Sequence, residues 1–314
     1  MLSLRDAIGT VHACAPADAR IASLVPSITE LVCDLGLAAQ LVARSGFCIH
    51  PREVVAAIPK VGGTKDVDIA RLRALAPTHV IVNIDENNKP AVEEIARFVP
   101  HVIVTHPNAP EDNLELYRLI GGIFDRVAAA EKLCNALSAA LAAAVRDVAT
   151  LPRENVLYLI WKDPWMTVAR DTYISRTLAA VGWDSVPAVA ASVVTPVASA
   201  VASAAAAAAA VAAPAAATRY PQLSPAALIQ AASTASVVLL STEPYRFRAP
   251  HVVLLQAQLA AALQTQLDAP ATTPRGMPQV MLIDGEMTSW YGSRAIAGLA
   301  YLARLRAQSG APAN

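Results

Sequence analysis

Aromatic side chains are scarce in this chain, at 5% of 314 residues, so a ring standing in a loop carries information. Charge is scarce as well, at 16%, and the 25 basic and 25 acidic residues cancel. With no basic excess, the chain lacks what a nucleic-acid binder or a polybasic membrane-surface protein needs. Its four cysteines, Cys14, Cys33, Cys48 and Cys134, form no C-x-x-C pair. That excludes a zinc ribbon or thioredoxin-type motif, and a disulfide framework does not suit so long a chain. No G-x-S-x-G elbow, P-loop, G-x-G-x-x-G or H-E-x-x-H occurs. No nucleophile–base pair or metal-ligand spacing stands out either, so the chain reads as a protein that is not an enzyme. Residues 1–19 hold no apolar run of secretory length. As written, the chain therefore reads as cytoplasmic.

Apolar residues make up 55% of the chain. Alanine supplies about a fifth of all positions, and it buries so little area that hydropathy overstates any drive into a bilayer. The segment 186–218 is uncharged and holds seven consecutive alanines, Ala204–Ala210, bracketed by Pro187, Pro196 and Pro214. It reads as a low-complexity insertion rather than a membrane span.

From Arg20 onward, short β-rich runs alternate with helical patterns, which predicts parallel α/β construction. A tail of residues 1–19 precedes a first lobe over 20–110. Strands are predicted at Ile21–Val25, Leu41–Ala43, His79–Asn83 and His101–Thr105. Ser27 and Glu30 stand in capping-box spacing for the first helix. Residues 111–150 form a helical linker. Gly121-Gly122 should interrupt it, and Val127–Ala149 should run on as a rigid spine. A second α/β lobe covers 151–310. Asp171 and Ser224-Pro225 are placed to cap its helices, and strands are expected at Asn155–Trp161, Ser236–Ser241 and Val280–Asp284.

Ligands of open parallel sheets gather beyond the carboxyl ends of the strands. Residues there are the candidates for chemistry. In the first lobe they are Pro26 and Ser27 at a helix N-terminus, Phe47 and His50, the turn residues Gly63 and Thr64, and Glu86 with Asn87. His50 could ligate a metal. The glycines serve close backbone approach or a tight turn, and the acidic-amide cluster serves a ligand or the next helix. In the second lobe the candidates are Trp165, the run Tyr245-Arg246-Phe247, and the run from Glu286 to Arg294 with Trp290 and Tyr291. Rings interleaved with arginine and glutamate offer stacking faces together with charge-assisted hydrogen bonds.

Several runs resemble one family. They are Arg20-Ile-Ala-Ser-Leu-Val-Pro-Ser-Ile-Thr-Glu-Leu31, Gly62-Gly-Thr-Lys65, Leu75-Ala-Pro-Thr-His-Val80, Leu157-Tyr-Leu-Ile-Trp161, Ser241-Thr-Glu-Pro-Tyr-Arg-Phe247 and Asp284-Gly-Glu-Met-Thr-Ser-Trp-Tyr-Gly-Ser-Arg294. In order, they resemble the vitamin B12 and iron-siderophore type of ABC-transporter substrate-binding protein, in its cobalamin-binding-like, helical-backbone metal receptor branch. The resemblance implies two Rossmann-like α/β lobes joined by one long helix, with a ligand held between them. It implies a monomer with no permanently bound cofactor, which captures a cobalamin-like corrinoid or another metal chelate and delivers it to an ABC permease in the periplasm. Corrinoid binders of the family commonly carry tyrosine before the proline that follows the second strand; here that position is His50. Transport members dock through one surface glutamate on each lobe, at positions that fall here near Lys89-Pro90 and Ala226. Those departures, with the missing leader, keep a non-exported handover protein as the alternative.

Overall fold

The computed structural model describes residues 4–187, 219–267 and 277–309. Apart from Val186 and Pro187, the alanine-rich insertion lies outside the described residues. The chain forms two compact units. One runs to Ala139 and also takes in Trp290–Ile296; the other holds the rest of the described residues.

The first unit is built on four parallel strands, β1 (Ile21–Ser23), β2 (Leu41–Arg44), β3 (His79–Asn83) and β4 (His101–Thr105), in the order β2-β1-β3-β4. Every residue of β3 is buried, as expected for a β-branched run inside a sheet covered on both faces. Helices α1 (Pro26–Asp34), α2 (Arg52–Val55), α3 (Ile69–Ala74), α4 (Lys89–Ile95) and α5 (Asn113–Ile123) belong to the same unit. Its core includes Leu24, Val61, Leu72, Val80, Val82 and Ile95.

Two local expectations are corrected. The capping box of Ser27 and Glu30 is not made. Val25 is the N-cap without a side-chain bond, Pro26 takes the first turn, and Ser27 is buried. Proline at that place sacrifices no bonded N–H, and Glu30 is engaged elsewhere. Nor do Gly121 and Gly122 break the helix. α5 runs through both, and a Cβ on Gly121 would stand 2.5 Å from the Ala130 Cβ. Glycine is there so that the next helix can approach. The break comes instead at Asp125, in the left-handed region at φ +53.

Residues ahead of β1 are ordered against the sheet. Arg5 bridges Val11, the Ala7 N–H donates to the Val104 carbonyl, and the Asp6 carboxylate accepts from the Val104 N–H and meets His12 Nε2 at 3.1 Å. This arm covers the open edge of β4, which would otherwise offer unpaired backbone groups. At the amino ends of β3 and β4, His79 and His101 stack with centroids 4.6 Å apart. Burial, then the neighbouring His101 and His12, push the His79 imidazole down to about 4.

Helix α6 (Val127–Val148) follows. It is long and apolar enough to cross a membrane by length and composition. Nine of its 22 residues are alanine, however, and its buried positions Ala130, Cys134, Leu137 and Ala144 form one stripe, the pattern of a helix lying on a protein surface.

The second unit pairs β5 (Glu154–Trp161) in parallel with β7 (Trp183–Ser185) and β9 (Val237–Ser241), and β9 with β10 (Gln279–Ile283). Two short strands, β6 (Trp165–Thr167) and β8 (Gln222–Leu223), add antiparallel pairs. Its helices are α7 (Tyr173–Ala180), α8 (Pro225–Thr234), α9 (Ala249–Leu267), α10 (Gly285–Ser289) and α11 (Arg294–Ser309), the last beginning in the first unit. Thr172, not Asp171, caps α7, because its hydroxyl accepts the Ser175 N–H. Ser224 caps α8 as expected.

Candidate functional site

Strand order fixes where each sheet can open. In the first unit, β1 connects outward to β2 on one side, while β3 and β4 lie on its other side. The connections diverge between β1 and β3, and such a switch point leaves a crevice at the carboxyl ends. Pro26 and Ser27 follow β1, and Glu86 and Asn87 follow β3, so the topology brings these four together. In the second unit β5 and β9 flank the corresponding place. Trp161 ends β5, Trp165 opens β6 just after it, and Tyr245 to Phe247 follow β9.

At the first crevice the returning segment supplies the lid. Tyr291 O–H donates to Glu86 Oε1 at 2.5 Å. The segment is pinned by Tyr117 O–H on the Gly292 carbonyl at 2.8 Å and by Asn113 Oδ1 accepting the Gly292 N–H at 2.6 Å. Gly292 holds φ +78, and a Cβ there would sit 3.0 Å from the Ser27 carbonyl oxygen. Burial raises the Glu86 carboxyl to about 7, against the lowering effects of the Tyr291 hydroxyl and Lys65. Burial also lowers Lys65, whose ammonium donates to the Asp85 carbonyl at 2.7 Å. Asp85 in turn faces His106 Nε2 at 3.5 Å.

Asn87 is consumed within the scaffold. Its Oδ1 accepts the Asn83 N–H, and its Nδ2 donates to the Thr64 and Leu24 carbonyls. It ties the loop after β3 to the Gly62–Lys65 turn, so its amide is a support and not a ligand contact. Gly62 holds φ +86 and the Gly63 N–H donates to the Asp66 carbonyl at 3.1 Å, which is a tight turn, with Thr64 partly buried behind it.

The loop after β2 presents a different surface. Phe47 is 62% and Ile49 48% exposed, with the half-buried His50 next in line. The His50 ring meets Trp290 edge-on at 5.6 Å. Arg294 lies over the Trp290 ring at 4.7 Å and forks onto Glu30 with bonds of 2.8 and 2.7 Å. His50, Trp290, Arg294 and Glu30 thus form one connected row. Among the described residues no group of three histidine, cysteine or acidic side chains is arranged to hold a metal ion. A metal at His50 would therefore have to arrive in a ligand that supplies its other donors.

In the second unit the rings pack on one another. Trp165 stacks parallel to Phe247 at 6.1 Å, Tyr245 tilts against Phe247 at 4.6 Å, Trp161 meets Tyr245 at 5.5 Å, and His251 closes the group at 5.6 Å from Phe247. Phe247 is 1% exposed, which makes it the core of the cluster and not its binding surface. Trp165 and Tyr245 are half-buried and Arg246 is exposed. Glu286 lies in the first turn of α10. Gly285 is forced by crowding, since a Cβ would stand 2.6 Å from the Glu243 nitrogen.

The family described as periplasmic binding protein matches residues 21–216, well over half of the chain. This chain belongs to that family. Among curated protein sequences none matches it. Among solved structures it is similar to the periplasmic vitamin B12 binding protein BtuF of Vibrio cholerae, at 15% identity and a TM-score of 0.68 over 92% of this chain and 97% of that one. The periplasmic heme-binding protein RhuT of Roseiflexus sp. RS-1 follows, at 20% and 0.65 over 93% and 99%. A periplasmic heme binding protein of Pseudomonas aeruginosa gives 18% and 0.66 over 94% and 95%. These likenesses establish a periplasmic-binding-protein fold of two α/β lobes and a long helix. The family is a solute-binding class rather than a catalytic one.

Within this member, sequence reasoning overlooked Glu30, Arg44, Lys65, Asn113 and Tyr117. Arg44, only 5% exposed, ends β2 and donates to the Val55, Ser45 and Cys48 carbonyls, shaping the loop that carries His50. An arginine closing a short apolar strand was the available signal. For Glu30, Asn113 and Tyr117 there was none, because their partners lie 175 to 264 residues away.

Proposed function

We propose that this protein captures a metal-centred macrocycle, of cobalamin-like corrinoid or related chelate type, as a monomer and without chemical turnover, for delivery to an ABC permease. One observation carries the reading: beyond the carboxyl end of β2 an imidazole stands next to outward-facing Phe47 and Ile49. Exposed apolar side chains beside a nitrogen donor suit a flat ligand whose metal accepts one more ligand. Trp165 and Tyr245 in the second unit offer ring surface of the same kind, with Arg246 and Glu286 as polar contacts. Titration calorimetry with cyanocobalamin, hemin and a ferric siderophore tests it. Binding of one of them at micromolar or better affinity, weakened at least about tenfold by His50→Ala, is expected; no heat from any of the three overturns it.

A second reading has one observation in its favour. The first turns of α4 and α8 carry Lys89, Pro90 and Ala226 where transport members of the resembled branch present a glutamate. A handover protein that works without a permease follows from that. Fractionation of cells expressing the native gene separates the two, since recovery in the periplasm contradicts the handover reading.

A further inference from the structure

We infer that Glu86 and Tyr291 form a proton-operated clasp: the charge on Glu86 sets how firmly the returning segment Trp290–Gly292 is held, and through Trp290 it positions His50. A single short bond joins a side chain after β3 to one that arrives 205 residues later. Its acceptor lies at the switch point of the first sheet, and the donor's neighbour, Trp290, is the ring against which His50 rests.

The surroundings of the carboxyl are mixed. Lys65 and the Tyr291 hydroxyl favour its charged form, whereas burial and Asp85 oppose it. Cys48 also feels its charge from the loop after β2, and His106 faces Asp85 from beyond β4. The balance leaves the carboxyl titrating near neutrality, where a carboxylate would ordinarily be fully charged. A charged Glu86 accepts the tyrosine proton as a charge-assisted bond. A protonated one accepts it as a neutral bond of about half the strength. Raising the pH therefore tightens the clasp, at the cost of a more heavily desolvated charge.

Only the ligand arm of the test rests on the proposed function. In the ligand-free protein, the Trp290 indole N–H and the Gly292 amide are followed by two-dimensional NMR from pH 5.5 to 8.5. Both are expected to shift with one midpoint near neutrality, while Trp183 in the second unit stays fixed. The shared midpoint should vanish in Glu86→Gln and rise in Tyr291→Phe, which removes the hydroxyl that lowers it and keeps the ring. A titration that persists in Glu86→Gln does not come from Glu86 and overturns the clasp, as do flat signals in the parent protein.

In the ligand arm, hemin and cyanocobalamin affinities are compared at pH 6 and pH 8. One proton limits the change to about tenfold per pH unit, and the change should disappear in Glu86→Gln. Equal pH dependence in both proteins overturns the clasp. Failure of both probes to bind counts against the proposed function and leaves the NMR result to decide the clasp.

Discussion

At the carboxyl ends of its strands the first unit gathers charge: Glu86 under Tyr291, Lys65 against Asp85, Arg294 forked onto Glu30. At the same place in its own sheet the second unit gathers rings, with Trp161, Trp165, Tyr245, Phe247 and His251 in mutual contact. Two sheets of related topology thus hold their loops by different physics. Charged networks respond to pH and salt, because their energy depends on protonation and screening. Packed rings respond to volume, because theirs depends on contact and on exclusion of water. One unit should yield to titration and the other to truncation.

The largest effect should come from the rings. Phe247→Ala removes a fully buried phenyl group from the centre of the cluster, and a loss of about 3–5 kcal/mol is expected in denaturant unfolding, unchanged between pH 6 and pH 8. Next, Gly292→Ala forces a Cβ against the Ser27 carbonyl at a left-handed φ. It should cost about 2–3 kcal/mol and loosen the first unit alone, as hydrogen exchange resolved by unit would show.

The third test sharpens the contrast. Glu86 titrates at about 7 in the folded chain against an ordinary 4.5. Its raised value contributes stability that is fully present below about 4.5 and is lost as the pH rises through about 7, by up to about 3 kcal/mol. Relative to Glu86→Gln, the parent protein should therefore be more stable at pH 5 than at pH 8; an equal difference at both pH values defeats the argument. His79 works in the other direction. Its imidazole, held at about 4 instead of 6.5, contributes stability that is present above 6.5 and lost as the pH falls through 4, a loss His79→Phe should abolish. The smallest effect belongs to the exposed Lys89–Glu93 pair at 3.8 Å, where Lys89→Ala should change stability by less than about 0.5 kcal/mol.

Much of the fold was legible because it rests on short-range pattern. β3 and β4 stand where the β-branched runs His79–Asn83 and His101–Thr105 put them, and α6 spans Val127–Val148 as its long uninterrupted pattern required. Local rules failed where distant packing overrode them. Ser27 has capping chemistry but is buried under Gly292, and Gly121 looks like a helix breaker but makes room for Ala130. The candidate site was legible by position and not by partnership. Glu86, His50 and Trp290 were singled out because they follow strands, yet nothing local reveals that Tyr291 seats on Glu86 or Arg294 on Glu30. Strands β6 and β8, of three and two residues, are too short for any alternation to register.

The return of Trp290–Ile296 to the first unit has a consequence for biosynthesis. Ala139 and Trp290 are separated by 151 positions (290 − 139). At about 5–20 residues per second on the ribosome, the nascent first sheet waits roughly 8–30 s for its last seven residues. During that interval Glu86 and Glu30 lack their partners and the crevice between β1 and β3 stands open. The first part of the chain to be translated is thus among the last to be finished, and a polypeptide stalled before Trp290 would leave the crevice of the first sheet unsealed.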